Sequence, residues 1–459
     1  MSDFGNSAAA RDIANVIHPY TNLAMHSDVG PLIITHGKGI YVYDEDGKGY
    51  IEGMAGLWCT SLGFGEEELI DAAVEQMRKL PYYHSFSGKS TNPLIDVSEK
   101  LLAMAPANMS RVLLSNSGSE ANDTLVKLIW YYNNAHDRPK KKKIISRIKG
   151  YHGVTVASAS LTGLPNNHLD FDLPIANILH TDCPHYYRFA ELGETEEAFA
   201  TRMADSLEAM ILEEGPDTVA AFIAEPVMGA GGVIVPPKTY FSKIQIVLSK
   251  YDVLLLADEV ICGFGRTGNM WGSETFGLNP DAMTVAKALS SAYLPISGVI
   301  ISEDIFAAMV KESEKIGVFG HGFTYSGHPV CAAVAMRTLE LMEERQVLDH
   351  VRSVSTRFQQ HLRAFSDHPL VGEVRGVGLL GAIELVAEKA TKKPFSLSDG
   401  VGAQCAIRAQ SHGLIVRPLG DSVAFCPPLI ISDSEINEMF ERFTKALDET
   451  AVWVKKERL

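Results

Sequence analysis

An acid and a lysine stand at the ends of two consecutive apolar segments: Asp258 closes Val253 to Ala257, and Lys287 follows Thr284-Val-Ala. In a doubly wound sheet the carboxyl ends of the strands border the ligand crevice. A lysine entering that crevice from an apolar run, flanked by Ala288-Leu-Ser-Ser, is partly desolvated, which lowers its pKa and frees the amine for Schiff-base chemistry. A carboxylate in the same cleft suits a cationic pyridinium ring. Upstream, Asn116-Ser-Gly-Ser-Glu-Ala121 falls between an apolar strand and a helix. Its backbone N–H groups and hydroxyls can converge there on a phosphate. The alternative is a plain capped helix start, because Ser117 and Glu120 have capping-box spacing. A lone lysine at a strand end is also a common surface residue, and only the pairing with Asp258 and the phosphate turn separates Lys287 from that reading.

A second glycine motif, Gly263-Phe-Gly-Arg-Thr-Gly268, is a literal G-x-G-x-x-G with Asp281 downstream, which invites a dinucleotide reading. The stretch from Asn269 to Pro280 carries glycines and a proline where the crossover helix belongs. A functional loop is the better reading.

These residues need a scaffold. From about Arg111 the pattern predicts strands over 111–116, 143–148, 219–226, 252–258, 282–287 and 298–302, alternating with helices over 120–136, 199–214 and 240–251. Runs such as Val253-Leu-Leu-Leu-Ala are apolar throughout, as strands covered on both faces must be. This is an α/β fold: a large domain with a mostly parallel central sheet and helices on both faces. Before it, Gly39 to Ile51 reads as a hairpin turning at Asp46-Gly47. After about Cys331 come long helices, two antiparallel-looking strands over 374–384 and 414–425, and a last helix opened by the capping box Ser432-Asp-Ser-Glu435. The expected division is a large domain over 61–330 and a smaller α+β domain over 331–459, with residues 1–60 packing against the latter.

Composition bounds what such a scaffold can serve. The 459 residues are 46% apolar and 21% charged, with 41 Lys and Arg against 56 Asp and Glu, a net charge of −15. That is enough apolar material for large cores in two to three domains of roughly 150 residues, and it excludes disordered and fibrous architectures. Diffuse negative charge argues against nucleic acid or an anionic membrane as partner. No run approaches the roughly 18 apolar residues of a membrane span, and Met1 to Tyr20 shows no basic-then-apolar leader, so a cytoplasmic protein is expected. Cys59, Cys183, Cys262, Cys331, Cys405 and Cys426 form no C-x-x-C pair and read as reduced, mostly buried thiols. The basic run Lys140 to Lys143 reads as a solvated loop and strand edge.

Ser117-Gly-Ser-Glu-Ala, Gly150-Tyr-His-Gly153, Glu225-Pro226, Asp258-Glu-Val260, Lys287 and Phe323-Thr-Tyr-Ser-Gly-His-Pro329, in this order, resemble the class III pyridoxal-phosphate-dependent aminotransferases. The likeness runs from about Pro19 to the C-terminus. Gly53-Met-Ala-Gly-Leu-Trp-Cys59, Asp258 to Gly268 and His321 to Pro329 bring it close to the ω-amine:pyruvate transaminases. The resemblance implies the fold type I architecture of PLP-dependent transferases, with pyridoxal 5′-phosphate bound to Lys287, which then shuttles a proton between substrate carbon and cofactor. It places Asp258 at the pyridine nitrogen, Ser117, Gly118 and Ser119 at the phosphate, Tyr151 and Val260 on the two ring faces, and His152 and Glu225 as supports of that site. Phe323 and Thr324 would come from a second subunit, which implies a homodimer with shared active sites, pairing of dimers being left open.

Trp58, Phe86, Tyr151 and Ala230 would wall the substrate pocket, and Arg417 would swing in to pair with a keto-acid carboxylate. Ile261 stands where many 4-aminobutyrate and ornithine enzymes carry Gln, which tilts away from them. The expected reaction moves an amino group from a primary amine or ω-amino acid to pyruvate by a ping-pong cycle, with no metal. The alternatives are a 4-aminobutyrate- or ornithine-type aminotransferase, a decarboxylating transaminase or an aminomutase. From other classes stand a nicotinamide-dependent dehydrogenase on Gly263 to Gly268 and a non-enzymatic pyridoxal-phosphate sensor, which would need a DNA-binding segment for which the chain has no spare length.

Overall fold

The computed structural model describes residues 7–457; Met1 to Asn6, part of the expected N-terminal segment, lie outside the described residues. Two short helices, Ala8–Asn15 and Leu23–Val29, lead into an antiparallel sheet of β1 (Ile34–Lys38), β2 (Tyr41–Asp44) and β3 (Gly49–Glu52). The β2–β3 turn is the one expected at Asp46-Gly47. Asp44 Oδ1 accepts the N–H groups of Asp46 at 3.1 Å and Lys48 at 2.9 Å, and Gly47 takes the left-handed φ of 79° that closes it.

The central sheet contains β4 (Met109–Ser115), β5 (Lys143–Arg147), β6 (Ile178–Thr181), β7 (Val219–Ala224), β8 (Leu254–Asp258), β9 (Ala282–Val285) and β10 (Ser297–Ser302). Its order is β4-β10-β9-β8-β7-β5-β6, and every neighbouring pair is parallel except those made by β10. Side-chain alternation explains why these strands carry so few polar residues. Ile145, Phe222 and Leu255 face one core, shared with helices Glu196–Glu214 and Tyr240–Lys250. Ile144, Ala221, Ile223 and Leu256 face another, shared with helix Gly118–Ala135. Both faces are dry, so both registers must be apolar. The strand of 219–226 stops at Ala224, two residues before Pro226, which has no N–H for the ladder. That of 282–287 stops before Lys287, whose φ of 50° cannot continue a strand.

The C-terminal region differs from its expected outline in two places. Residues 374–384 are not one strand but a hairpin, β11 (Val371–Val377) and β12 (Leu380–Leu385), turning at Gly378 with φ 58°. A Cβ on Gly378 would lie 2.4 Å from the carbonyl oxygen of Arg266, so only glycine fits that turn. Residues 414–425 split into β13 (Leu414–Ile415), β14 (Arg417–Leu419) and β15 (Ser422–Phe425). β13 leaves its neighbours to pair in parallel with β3, Leu414 opposite Ile51, while β14 and β15 extend the β11–β12 sheet. The last helix, Asp433–Glu457, begins with the expected capping box: Glu435 N–H to Ser432 Oγ at 3.3 Å and Ser432 N–H to Glu435 Oε2 at 2.8 Å.

Two further expectations need correction. Gly263 to Gly268 is no ligand loop. Phe264 and Arg266 are buried, and Arg266 donates to the Pro427 carbonyl and accepts from Leu379 N–H, so the glycines serve a close-packed connector. Lys141 is not solvated but buried, its ammonium donating to the Tyr251 carbonyl at 3.2 Å with Asp252 at 3.5 Å; burial lowers its pKa. The six cysteines are free, and all but Cys59 are buried. Among the described residues no helix is long and apolar enough to cross a membrane.

The C-terminal core centres on Phe425, Phe440 and Phe443, with Phe425 and Phe443 edge-to-face at 4.8 Å and 86°. Phe443→Ala should lower stability by about 3–5 kcal/mol, read as a fall in the thermal unfolding temperature of the purified protein.

Candidate active site

Helix Gly118–Ala135 begins directly after β4, and its first turn faces the carboxyl ends of β8 and β9. Between them lies a cavity of about 140 Å³ lined by Gly118, Ser119, Asn122, Tyr151, His152, Gly153, Glu225, Asp258, Val260, Ile261, Ala286 and Lys287. Asp258, the last residue of β8, is 3% exposed, and both of its oxygens accept hydrogen bonds. Its Oδ2 accepts Asn122 Nδ2 at 2.9 Å and His152 Nδ1 at 2.8 Å, and its Oδ1 accepts Val260 N–H at 3.1 Å. A carboxylate can only accept, so His152 carries its proton on Nδ1. Asn122 donates also to the His152 carbonyl at 2.7 Å, which locks the helix to the 150–153 turn. Two buried atoms, His152 Nε2 and Asn122 Oδ1, have no partner among the described residues.

Glu225 holds that turn from below. Its two oxygens accept the N–H groups of Tyr151 and Gly229, each at 2.9 Å, and burial pushes its pKa up. It supports the wall rather than presenting a free carboxylate. Lys287 enters on a left-handed residue after β9. Burial lowers the pKa of its amine, and the opposing pull of Asp258 comes second.

At the helix start Ser117 is exposed and acts as the cap, its Oγ accepting Glu120 N–H at 3.2 Å. The capping box is only half formed, because Glu120 turns back to Asn116, accepting its N–H at 2.8 Å and its amide at 2.9 Å. Ser119 Oγ accepts Val154 N–H at 3.0 Å, which leaves its own hydrogen to donate. Gly153, with φ 133°, is forced to be glycine: a Cβ there would lie 2.5 Å from both Ser119 Oγ and Ser158 Oγ. A Cβ on Gly118 would press on both Val260 methyls at 3.3 Å. The unpaired helix N–H groups, the donor hydroxyl of Ser119 and this side-chain-free cradle suit a phosphate. Asp258 and Lys287 suit a basic ring nitrogen and an aldehyde.

Arg417 on β14 is half-buried, and burial lowers its pKa while the hydroxyls of Tyr151 and Tyr20 oppose that shift. Burial, then the Tyr20 hydroxyl, pushes the Tyr151 phenol above its ordinary range. Tyr20 accepts Asn167 Nδ2 at 2.7 Å. These three side chains form an aromatic and cationic rim beside the cavity.

Not every expected residue lines the cavity. Trp58 is buried in an apolar cluster that also contains Met54, Val227, Val233 and the cavity residue Ile261. Ala230 sits at the Gly229–Gly231 turn outside the wall. Phe86 is 46% exposed. Its ring lies within 3.3 Å of where a Cβ on Gly322 would stand, next to the half-exposed Phe323 and exposed Thr324. That surface is tied together by Tyr82 Oη to the Thr324 carbonyl at 2.7 Å and by the edge-to-face pair Tyr82–Tyr325 at 5.9 Å. None of Phe86, Phe323 and Thr324 reaches the cavity of its own chain.

Asn122 and Tyr20 escaped sequence reasoning. Asn122 had a signal: it lies one helical turn past Gly118, on the face that looks toward the strand ends. Tyr20 had none, since nothing local says that residues 16–22 fold back onto Tyr151.

Comparison with known proteins agrees with this geometry. The family model for class III aminotransferases matches residues 23–447. A γ-aminobutyrate transaminase of Solanum lycopersicum, named as chloroplastic, is 51% identical over 97% of this chain and 87% of its own length. A mitochondrial γ-aminobutyrate transaminase of Oryza sativa subsp. japonica is 52% identical over 95% and 84%. The solved structure of the omega transaminase from Pseudomonas jessenii in complex with PMP superposes with a TM-score of 0.97 at 56% identity, covering 98% of this chain and 99% of that one. The chain belongs to the class III aminotransferases, enzymes of the fold type I architecture that use pyridoxal phosphate.

The shifts at Lys287 have a testable sign. Burial favours the neutral amine, so Schiff-base formation by cofactor-stripped protein with added pyridoxal phosphate should titrate with a midpoint below the ordinary lysine value of 10.5. Asp258 opposes that shift, so Asp258→Asn should move the midpoint lower still; absorbance of the adduct against pH reads both.

Proposed function

We propose that this aminotransferase takes the amino group of a primary amine or ω-amino acid and delivers it to pyruvate or a similar small keto acid. The observation that carries this reading is the rim: Arg417 lies among the aromatic side chains Tyr151 and Tyr20. A ping-pong site must accept two unlike partners in turn. Aromatic walls suit an uncharged amine tail. A guanidinium on a short strand beside the cavity, kept charged by its high intrinsic pKa, suits the carboxylate of the acceptor in a bidentate pair.

When bound, pyridoxal phosphate supplies an aldehyde that condenses with amines and a ring that draws electrons from the substrate carbon. In this reading Gly118 and Ser119 hold the phosphate, with the N–H groups of the helix start. Asp258 would pair with the ring nitrogen and favour its protonated form, and His152 and Asn122 fix the carboxylate that would do so. Tyr151 and Val260, which line the cavity, would hold the ring between them. Lys287 Nζ would be the amine that holds the aldehyde. With the amine neutral and desolvated, Lys287 Nζ would be the base positioned to move a proton between the substrate carbon and the aldehyde carbon on the other side of the amine nitrogen.

A second reading keeps 4-aminobutyrate as the amino donor. The names of the tomato and rice relatives favour it, and Arg417 could equally pair with the carboxylate of an ω-amino acid. The tilt drawn from Ile261 does not outweigh relatives of that identity.

The exposed aromatic surface of Phe86, Tyr82, Tyr325 and Phe323 supports a homodimer in which these residues complete the partner's site. Light scattering on the purified protein should then give twice the chain mass.

The purified enzyme should be yellow, bleach with an aromatic primary amine and regain colour with pyruvate. Lys287→Ala should lower turnover by about 10²–10⁴-fold or more. Arg417→Ala should raise KM for pyruvate about 10- to 100-fold, the loss of a charge-assisted pair, while leaving KM for the aromatic amine nearly unchanged. Bleaching by 4-aminobutyrate alone would replace the first reading with the second.

A further inference from the structure

Residues 8–29 form a strap of two short helices, Ala8–Asn15 and Leu23–Val29, neither of which buries a side chain in the core. Something other than apolar packing must hold them together. Asp12 of the first helix, His18 of the connecting loop and His26 of the second converge on one point. His18 Nε2 lies 2.7 Å and His26 Nε2 3.2 Å from the same oxygen, Asp12 Oδ1. The two rings are 4.3 Å apart and tilted by 41°. The three donor atoms lie within 4.8 Å of one another, and the side chains are 18%, 29% and 11% exposed for Asp12, His18 and His26.

A similar trio, His185 with Glu373 and Glu384, is unlike this one because arginines already occupy it: Arg375 pairs with both carboxylates and Arg188 with Glu384. Asp12 pairs with no lysine or arginine among the described residues. Among the described residues its carboxylate meets the two imidazoles, both aimed at it through the ring nitrogen best placed to coordinate.

We propose that Asp12, His18 and His26 bind one divalent transition-metal ion of the zinc, cobalt or nickel type. Two imidazoles and a carboxylate are the donor set such borderline ions take, and the partial exposure leaves room for water in the remaining positions. The bonds balance simply. Each imidazole now presents an Nε2–H to Asp12; on binding, that hydrogen moves to Nδ1 in a neutral ring, or one proton leaves to solvent from a charged ring, and the freed Nε2 lone pair goes to the metal. The ion would clasp both helices and the loop between them. That loop carries Tyr20, two residues beyond His18, to Tyr151 and Arg417. The ion would thus fix one side of the substrate rim without touching the cofactor.

The test uses tag-free full-length holoenzyme, dialysed against chelator and titrated with Zn²⁺ by calorimetry and with Co²⁺ by its visible absorption. One ion per chain is expected, and Asp12→Ala, His18→Ala and His26→Ala should each weaken binding at least ~10-fold, since even outer-shell partners are worth that much. All three side chains lie outside the cores, so the variants should keep the unfolding temperature of the metal-free wild type, which separates loss of the site from loss of the fold. Absence of saturable binding, or binding retained by the triple variant, overturns the proposal.

Discussion

A carboxylate kept in a dry crevice must have donors for both of its oxygens, and Asp258 sets that condition for the rest of the site. Leaving such a group short of donors costs more than an ordinary hydrogen bond returns. Three donors from three separate elements meet the demand: Asn122 from the helix after β4, His152 from the turn after β5, and the backbone of Val260 beyond β8. Each of those elements is therefore held in place by the acid as much as the acid is held by them. The same bonds bring Gly118 and Ser119, one helical turn before Asn122, opposite Lys287.

The neighbouring acids show the same constraint resolved differently. Glu225 and Glu259 are as deeply buried as Asp258, and both spend their oxygens on hydrogen bonds rather than on an ion pair. Burial pushes both upward, Glu259 to about 7, with the bonds from Ser273 and Gly272 pulling against it. Three full negative charges packed this closely in a dry interior would repel one another and lack water to screen them. Spending Glu225 on two backbone N–H groups and Glu259 on the start of helix Gly272–Phe276 gives these acids structural work. It leaves the histidine-supported carboxylate as the one that looks into the cavity beside the amine.

What could be read in advance follows from what is local. Fully apolar strands, helix caps and the Asp-Gly turn announce themselves within a few residues, and so do the ends of β8 and β9, where Asp258 and Lys287 stand. The hairpin at Gly378 did not, because the glycine is needed to clear a carbonyl more than a hundred residues earlier in the chain. Nor did the split at Val416, since β13 changes sheets to join a strand from the N-terminal region. Lys141 read as solvated because its run is charged, yet the Tyr251 carbonyl and Asp252 wait for it across the fold. The G-x-G-x-x-G failed in the opposite direction: its spacing is real, but its glycines answer to Trp271, Leu348 and neighbouring backbone rather than to a nucleotide.

Identity of the amine is the least local property of all, and the architecture says why. The chemistry is lodged between strand ends that both faces of the sheet clamp, whereas the residues that would grade one substrate against another come from the periphery. Arg417 lies on a three-residue strand bordering a turn at Gly420, Tyr20 on a loop between two helices with no buried side chains, and Phe86 on an exposed aromatic surface. Changes at such positions cost the core little, so relatives can keep the same catalytic frame while their names diverge between γ-aminobutyrate and ω-transaminases. A rigid centre with an adjustable rim is also what a two-substrate cycle demands. The proton must be passed at a fixed place, whereas in the proposed reaction the side chain beyond it would alternate between a tail without charge and one that carries a carboxylate.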